Sequence, residues 1–192
     1  TEDVWRKIYD GYQDPVLVAY TGFTDTACGT GQAAMGPFYC PLDQKVYLDL
    51  GFFEELEKSL GAGGDFARAY VIAHEAGQHI QTLNGTSKKV RALQQQSNRA
   101  TANKLSVAME LQADCYAGIW AYHVKSDLGL LEEGDIDEAL NAASAVGDDT
   151  LAHNAGRAAM PDSFTHGSAA QRKEWFYKGY ETGGVESCKT FN

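Results

Sequence analysis

One predicted helix constrains the fold and chemistry of this chain more than any other segment. Asp65 is a suitable N-cap and Asn84-Gly85 supplies a left-handed stop, so the spacing predicts a helix that ends near Leu83. It carries the sequence His74-Glu75-Ala76-Gly77-Gln78. Residues four apart share one face of a helix, so His74 and Gln78 point the same way, with Glu75 beside them.

This pattern is that of a zinc-peptidase helix with one ligand replaced. A zincin needs His-Glu-x-x-His, in which two imidazoles hold the metal and the glutamate takes a proton from the metal's water. Here Gln78 stands at the second histidine position, and His79 lies about 100° further round the helix. A neutral amide is a poor zinc ligand beside imidazole. The sequence therefore predicts both a metallopeptidase and an impaired one.

Three explanations of Gln78 are open at this point. The residue is natural and leaves a weak or inactive enzyme, or it was introduced to trap an inactive form. In the third, a π-bulge in the helix turns His79 toward the metal.

Glu110 and Asp114 provide the complementary half of the predicted site, on a long helix that runs from Asn103 to about Lys125. They lie four residues apart among mostly apolar neighbours, where acids are costly to bury unless paired or bound to metal. In glutamate-type zincins a second helix gives the third ligand, and an acid one turn on orients a ligand imidazole. We assign these roles to Glu110 and Asp114; the alternative is two solvated surface acids.

The rest of the chain is predicted to be a mainly helical α+β domain. Its 192 residues suffice for one domain with a substantial core, and no linker or repeat divides them. Short strands are expected at 15–20 and 44–49, with a loop over 21–37. Further helices are expected over residues 50–60, 87–100, 135–146 and 168–183, the last two with capping boxes.

Charge excludes some classes of partner. The net charge is −10, which argues against nucleic acid and against anionic lipid. The basic cluster Lys88–Arg91 is interpreted as the solvated first turn of a helix.

Four cysteines bear on the compartment. A Cys28–Cys40 bridge would close a short ring, and a Cys115–Cys188 bridge would tie a helix to the C-terminal tail; three pairings are possible. An even count favours an oxidising compartment, with four free thiols as the alternative.

Five sequence blocks, in one order along the chain, carry a resemblance to a known family. The blocks are Gly36–Pro41, Val46–Asp49, Tyr70–Gln81, Glu110–Trp120 and Phe164–Tyr180. They resemble the bacterial family called putative neutral zinc metallopeptidases, whose members carry histidine at the position of Gln78. The resemblance implies a zincin-like α+β domain over residues 1–192, a Zn²⁺ cofactor, and a peptide or protein substrate.

The resemblance also implies a location in the bacterial cell envelope behind an N-terminal membrane anchor. Thr1-Glu2-Asp3-Val4-Trp5 lacks an initiator methionine and signal-peptide character, so we expect a trimmed or mature form. No apolar run reaches the ~20 residues of a membrane span, so we expect no membrane contact by this segment itself.

Three further side chains are candidates for the site. His166 precedes a predicted helix and either stabilises an oxyanion or bonds the backbone at the helix cap. Arg172 either binds a substrate carboxylate or forms a structural salt bridge. Tyr39 is a possible second donor to substrate, with packing beside the strand as the alternative.

The sequence as a whole predicts a zinc-dependent metallopeptidase. The assigned residues are His74, Gln78 and Glu110 around the metal, Glu75 and His166 in catalysis, Asp114 behind His74, and Arg172 and Tyr39 toward substrate. The alternative is a non-catalytic pseudoprotease that grips peptides or a partner protein.

Overall fold

The computed structural model describes residues 1–32, 36–58 and 61–191, and within them it has a mainly helical α+β architecture, as predicted. The helices are α1 (Glu2–Ile8), α2 (Phe52–Lys58), α3 (Asp65–Leu83), α4 (Thr86–Gln95), α5 (Arg99–His123), α6 (Asp135–Ala145), α7 (Asp148–Asn154) and α8 (Ala169–Thr182). The strands are β1 (Val16–Tyr20), β2 (Phe23–Thr26), β3 (Gly29–Gln32), β4 (Phe38–Cys40) and β5 (Lys45–Asp49).

A small mixed sheet covers one side of α3. Its order is β1-β5-β4, with β1 parallel and β4 antiparallel to β5. One face presents Tyr39, Val46 and Leu48 to Ile72 of α3, and on the other face Tyr47 packs with Tyr20 and Cys40, so β5 is almost wholly buried. The strands predicted at 15–20 and 44–49 are confirmed as β1 and β5.

The predicted loop over 21–37 is wrong in its first half, because β2 and β3 form an antiparallel hairpin there. The hairpin is largely exposed, so its sequence lacks the apolar alternation of a half-buried strand. It packs on the ring of Phe38 through Gly31, where a Cβ would meet that ring at 2.5 Å. Residues 33–35 of the predicted loop lie outside the described residues.

The predicted helices are present, but several of them begin or end at other residues than predicted. The predicted helix 50–60 is α2, and its last two positions, 59–60, lie outside the described residues. The predicted helix 87–100 stops at Gln95, and α5 begins at Arg99 because the side chain of Asn98 accepts the Thr101 N–H and caps it. The capping box of Ser168 and Gln171 is present, whereas α6 has no side-chain cap. The short α7 was not predicted.

Helices α3, α5 and α8 pack together and hold the site residues. Gly118 lets α5 and α8 touch backbone to backbone, since a Cβ there would lie 1.9 Å from the carbonyl oxygen of Phe176. The Cys115–Cys188 disulfide ties α5 to the C-terminal segment, and Cys28–Cys40 ties the hairpin turn to β4. Among the described helices, none has the length and apolar character needed to cross a bilayer.

Candidate metal centre

His74 of α3 and Glu110 of α5 converge at the floor of a cleft. Their Nε2 and Oε2 atoms lie 3.1 Å apart. The approach of the two helices depends on Gly77, because a Cβ there would stand 3.0 Å from the carbonyl oxygen of Ala113. The structure thus brings together the two residues on which the predicted site depends.

Asp114 lies behind His74 and is fully buried. Its Oδ1 is 2.8 Å from Nδ1 of His74 and accepts a hydrogen bond from the Tyr70 hydroxyl at 2.6 Å. Burial alone would raise the pKa of Asp114, but the charges of Arg172 and His74 outweigh burial and lower it. An ionised Asp114 holds the Nδ1 proton and turns Nε2 toward Glu110.

The imidazole of His74 is itself strongly affected by these acids. Burial would lower its pKa, yet the carboxylates of Asp114 and Glu110 raise the pKa to about 10. Without a metal, a proton therefore sits between Nε2 of His74 and Glu110. Metal binding at these atoms has to release that proton, so we expect affinity to rise with pH.

Gln78 completes the cluster at the position of the missing histidine. Its Nε2 donates to Oε1 of Glu110 at 3.1 Å and lies 3.3 Å from Nε2 of His74. The amide thus presents a hydrogen-bond donor to the predicted ligands. Rotation of the amide by 180° would present its oxygen instead.

His79 does not face this cluster. Its Nδ1 lies 2.9 Å from the Tyr39 hydroxyl and its Nε2 lies 2.5 Å from the carbonyl oxygen of Gln13. The helix α3 runs without a π-bulge through this turn. The structure therefore contradicts the explanation in which His79 replaces Gln78 at the metal.

Glu75 stands beside His74, is only 5% exposed, and has an Oε2 without a hydrogen-bond partner among the described residues. Burial is the main reason that its pKa is raised to about 7, and the charge of Glu110 adds to this. A buried carboxyl oxygen with no partner calls for a water molecule or substrate group. A carboxyl group that titrates near neutrality suits proton transfer.

A cavity of about 340 Å³ opens over these residues, and His166 and Arg172 also line it. The three backbone N–H groups of Thr165, His166 and Gly167 donate to Oδ2 of Asp148 at 2.7–2.9 Å. The imidazole of His166 remains half exposed at the cavity, with Nδ1 toward Asp148. Its role toward substrate stays a prediction, because within the described part of the chain the imidazole forms hydrogen bonds only with the side chains of Thr165 and Asp148.

Arg172 takes the structural role and not the predicted substrate contact. The side chain is 3% exposed, and Nε and Nη2 donate to the two oxygens of Asp114 at 2.8 and 2.9 Å. A substrate carboxylate would have to displace this buried pair, so the bidentate salt bridge to Asp114 replaces that interpretation. Tyr39 is buried against His79 and outside the 340 Å³ cavity, and its substrate contact stays a prediction.

The three inward side chains fit a divalent metal in position. Ligand atoms of a tetrahedral zinc ion with bonds of about 2.0–2.1 Å stand roughly 3.3 Å apart. Nε2 of His74 stands 3.1 Å from Oε2 of Glu110 and 3.3 Å from the amide nitrogen of Gln78, which would have to exchange places with the amide oxygen for Gln78 to bind a metal. Imidazole and carboxylate also suit zinc chemically, whereas the amide is the weak member.

Comparison with models of known protein families identifies the family of this chain. A family model described as "Putative neutral zinc metallopeptidase" matches residues 1–191. The chain belongs to this family. No solved structure matches the chain.

Two relatives from distant bacteria show how far the similarity extends. "Uncharacterized protein YpfJ" of Escherichia coli (strain K12) is 52% identical over 195 residues, covering 100% of this chain and 68% of the relative. "Uncharacterized protein Rv2575" of Mycobacterium tuberculosis is 43% identical over 199 residues, covering 98% of this chain and 66% of the relative. The chain thus spans about two thirds of the length of these relatives.

Sequence reasoning missed two residues that build the site. Tyr70 donates to Asp114, and its position four residues before His74 on the same helix face was a usable signal. Asp148 holds the segment that carries His166, and its only sequence sign was an Asp-Asp pair after Gly147.

Proposed function

We propose that this chain is the zincin-like peptidase domain of a zinc-dependent hydrolase in which Gln78 leaves zinc binding weak and peptide hydrolysis slow. One observation carries the proposal: Nε2 of His74 and Oε2 of Glu110 meet at 3.1 Å while Asp114 fixes the other side of the imidazole. Two solvated acids would not flank one buried histidine, with Asp114 fully buried on one side and Glu110 largely buried on the other.

Each residue of the site has its own role in the proposed reaction. His74 and Glu110 would hold the zinc ion, with the Gln78 oxygen as a weak third ligand. A bound zinc ion supplies a water molecule of lowered pKa. Glu75 takes a proton from the attacking water and returns it to the leaving amine nitrogen, a task that suits a carboxyl group of pKa about 7. His166 donates to the carbonyl oxygen as negative charge develops there.

The second candidate function is non-catalytic binding of peptides or of a partner protein. It is favoured by the Gln78 amide, whose N–H satisfies Glu110 without any metal. In this function the cleft binds the peptide or partner, and no peptide bond is hydrolysed.

Metal analysis and peptide cleavage separate these two functions. The chain and its Gln78→His variant would be dialysed against zinc, and bound metal and hydrolysis of a casein-type substrate measured. We expect little zinc and slow cleavage in the parent chain, with both restored by Gln78→His and cleavage lost again in Gln78→His/Glu75→Gln. If Gln78→His neither binds zinc nor cleaves the substrate, the result would support the non-catalytic binding function.

We also propose that the domain works in the bacterial cell envelope. Two disulfides are typical of proteins that fold in an oxidising compartment. The family resemblance adds an N-terminal membrane anchor to this expectation. Fractionation of cells that produce the full-length protein, with thiol labelling before lysis, tests it; reduced cysteines in the cytosolic fraction would contradict it.

A further inference from the structure

Gln78 lines two cavities, and the first of them contains the candidate metal centre. The first has a volume of about 340 Å³ and contains Glu75 in its wall. The second has a volume of about 280 Å³ and lies against α4. Because Gln78 lines both cavities, a peptide that passes over it contacts the two in succession.

The first cavity has an apolar wall next to the reacting position. Phe38, Phe52, Val71 and Val146 line it, and each of them is only partly buried. Val71 precedes Glu75 by four residues on α3, so this wall begins one helical turn from the catalytic carboxyl group. The guanidinium of Arg172, which also lines the cavity, is bound to Asp114. An apolar side chain therefore fits against this wall.

The second cavity is also lined mainly by apolar and neutral side chains, and it differs from the first in its charge. Its lining contains one charged side chain, Arg91, among neutral residues that include Ser87 and Gln94. Arg91 is exposed, and within residues 1–32, 36–58 and 61–191 it forms no salt bridge. A guanidinium with free donors binds carboxylates in a bidentate manner. Its neighbour Lys89 does not line the cavity.

From this pairing we infer that the groove binds a peptide segment with a large apolar side chain in the first cavity and a carboxylate beside Arg91. The inference rests on the proposed function in taking a peptide as the ligand, and it adds the class of peptide. The apolar cavity contributes most of the discrimination, because it removes a side chain from water. The exposed Arg91 adds a smaller share, since ion pairs at exposed positions are weak.

The test is the affinity of blocked peptides for the Glu75→Gln protein, which does not cleave them. Four peptides of one sequence combine leucine or alanine at one position with glutamate or glutamine at another. Binding is followed by the NMR shifts of valine methyl groups. We expect leucine to bind about tenfold more tightly than alanine, and glutamate about threefold to fivefold more tightly than glutamine.

Paired variants assign each preference to its cavity. Val71→Phe, which fills the first cavity, should abolish the preference for leucine, whereas Val185→Phe at a partly exposed position elsewhere should keep it. Arg91→Glu should abolish the preference for glutamate, whereas Lys89→Glu, with the same change of charge outside the cavity, should keep it.

The outcomes separate this inference from the proposed function. Equal affinities for the four peptides, no binding, or preferences that survive Val71→Phe and Arg91→Glu would overturn the inference, whether or not the chain hydrolyses peptides. Preferences that follow the paired variants would support it even if neither the chain nor its Gln78→His variant cleaves any peptide.

Discussion

The amide nitrogen of Gln78 donates a hydrogen bond to Oε1 of Glu110 at 3.1 Å, so the residue at the predicted second histidine position presents a donor to another predicted ligand. A metal ion bound here needs a lone pair from an oxygen or nitrogen atom, whereas the amide presents an N–H group. The amide has to rotate and give up its hydrogen bond before it can contribute to metal binding. This relationship is the reason we expect weak zinc binding although His74 and Glu110 are in position.

Replacement of Gln78 by histidine should therefore raise zinc affinity by about a hundredfold or more, because imidazole is a far better zinc ligand than a neutral amide. Competition with a chromophoric chelator measures this. Gln94→His, which places a histidine on α4, is the matched control and should leave the affinity unchanged. Equal zinc affinity in the parent chain and Gln78→His would contradict our account of this position.

Arg172→Met should lower the free energy of unfolding by about 3–5 kcal/mol, because it leaves the buried carboxylate of Asp114 without its cation. Urea denaturation measures the loss. The double variant Arg172→Met/Asp114→Asn should lose less than the sum of the two single variants, since the residues act as a pair. Strict additivity would show that the salt bridge at 2.8 and 2.9 Å does not couple them.

The helices and the convergence of His74 with Glu110 could be predicted from the sequence because each depends on a local pattern. A helix places residues four apart on one face, so two such faces with complementary ligands predict a meeting point. The capping box at Ser168 is equally local, and it was found in place.

The salt bridge of Arg172 and the hairpin β2–β3 could not be assigned in the same way. Arg172 lies 58 residues from Asp114 along the chain, and only the close crossing of α5 and α8 brings them together. The hairpin is stabilised by Phe38 and by the Cys28–Cys40 bridge more than by its own apolar pattern. Both the salt bridge and the hairpin depend on contacts between segments that are distant in sequence.

Stability should depend on pH through Glu75. Its pKa is raised by burial from 4.5 to about 7, so between these values the unfolded chain ionises while the folded chain stays protonated. The stabilisation is complete below pH 4.5 and is lost as the pH rises through 7, by roughly 3 kcal/mol for a difference of about 2.5 pKa units. The glutamine of Glu75→Gln cannot ionise. The free energy of unfolding of this variant, relative to that of the parent, should therefore be higher at pH 8 than at pH 4.

Urea denaturation in the presence of a chelator measures this dependence without metal. Glu181→Gln, at an exposed position on α8, provides the control and should show no such gain at pH 8. A constant difference between Glu75→Gln and the parent from pH 4 to pH 8 would mean that the pKa of Glu75 is the same in the folded and the unfolded chain.

The two disulfides should contribute unequally to stability. Cys115–Cys188 closes a loop of 73 residues and Cys28–Cys40 one of 12. Loop-closure entropy predicts losses of about 4 and about 3 kcal/mol for their removal as alanine pairs. Thermal unfolding of the two double variants measures the order. A lower melting temperature without Cys28–Cys40 would show that its contacts to β4 outweigh chain entropy.

Asp148 should control the local order of the segment that carries His166. Its Oδ2 accepts the N–H groups of Thr165, His166 and Gly167, whereas the neighbouring Asp149 accepts only that of Ala169. Asp148→Ala removes the shared acceptor of three consecutive amides and should cost roughly 1–3 kcal/mol of local stability. Asp149→Ala removes one such bond and should cost less.

Amide hydrogen exchange at residues 165–167 measures this directly, because these N–H groups are protected only while the carboxylate holds them. We expect their exchange to accelerate about tenfold or more in Asp148→Ala, which corresponds to the loss of about 1.4 kcal/mol, and to change little in Asp149→Ala. Asp148→Asn keeps an acceptor oxygen without its charge and should fall between the parent and the alanine variant. Unchanged exchange in Asp148→Ala would show that the helix cap at Ser168, and not Asp148, positions His166 at the cleft.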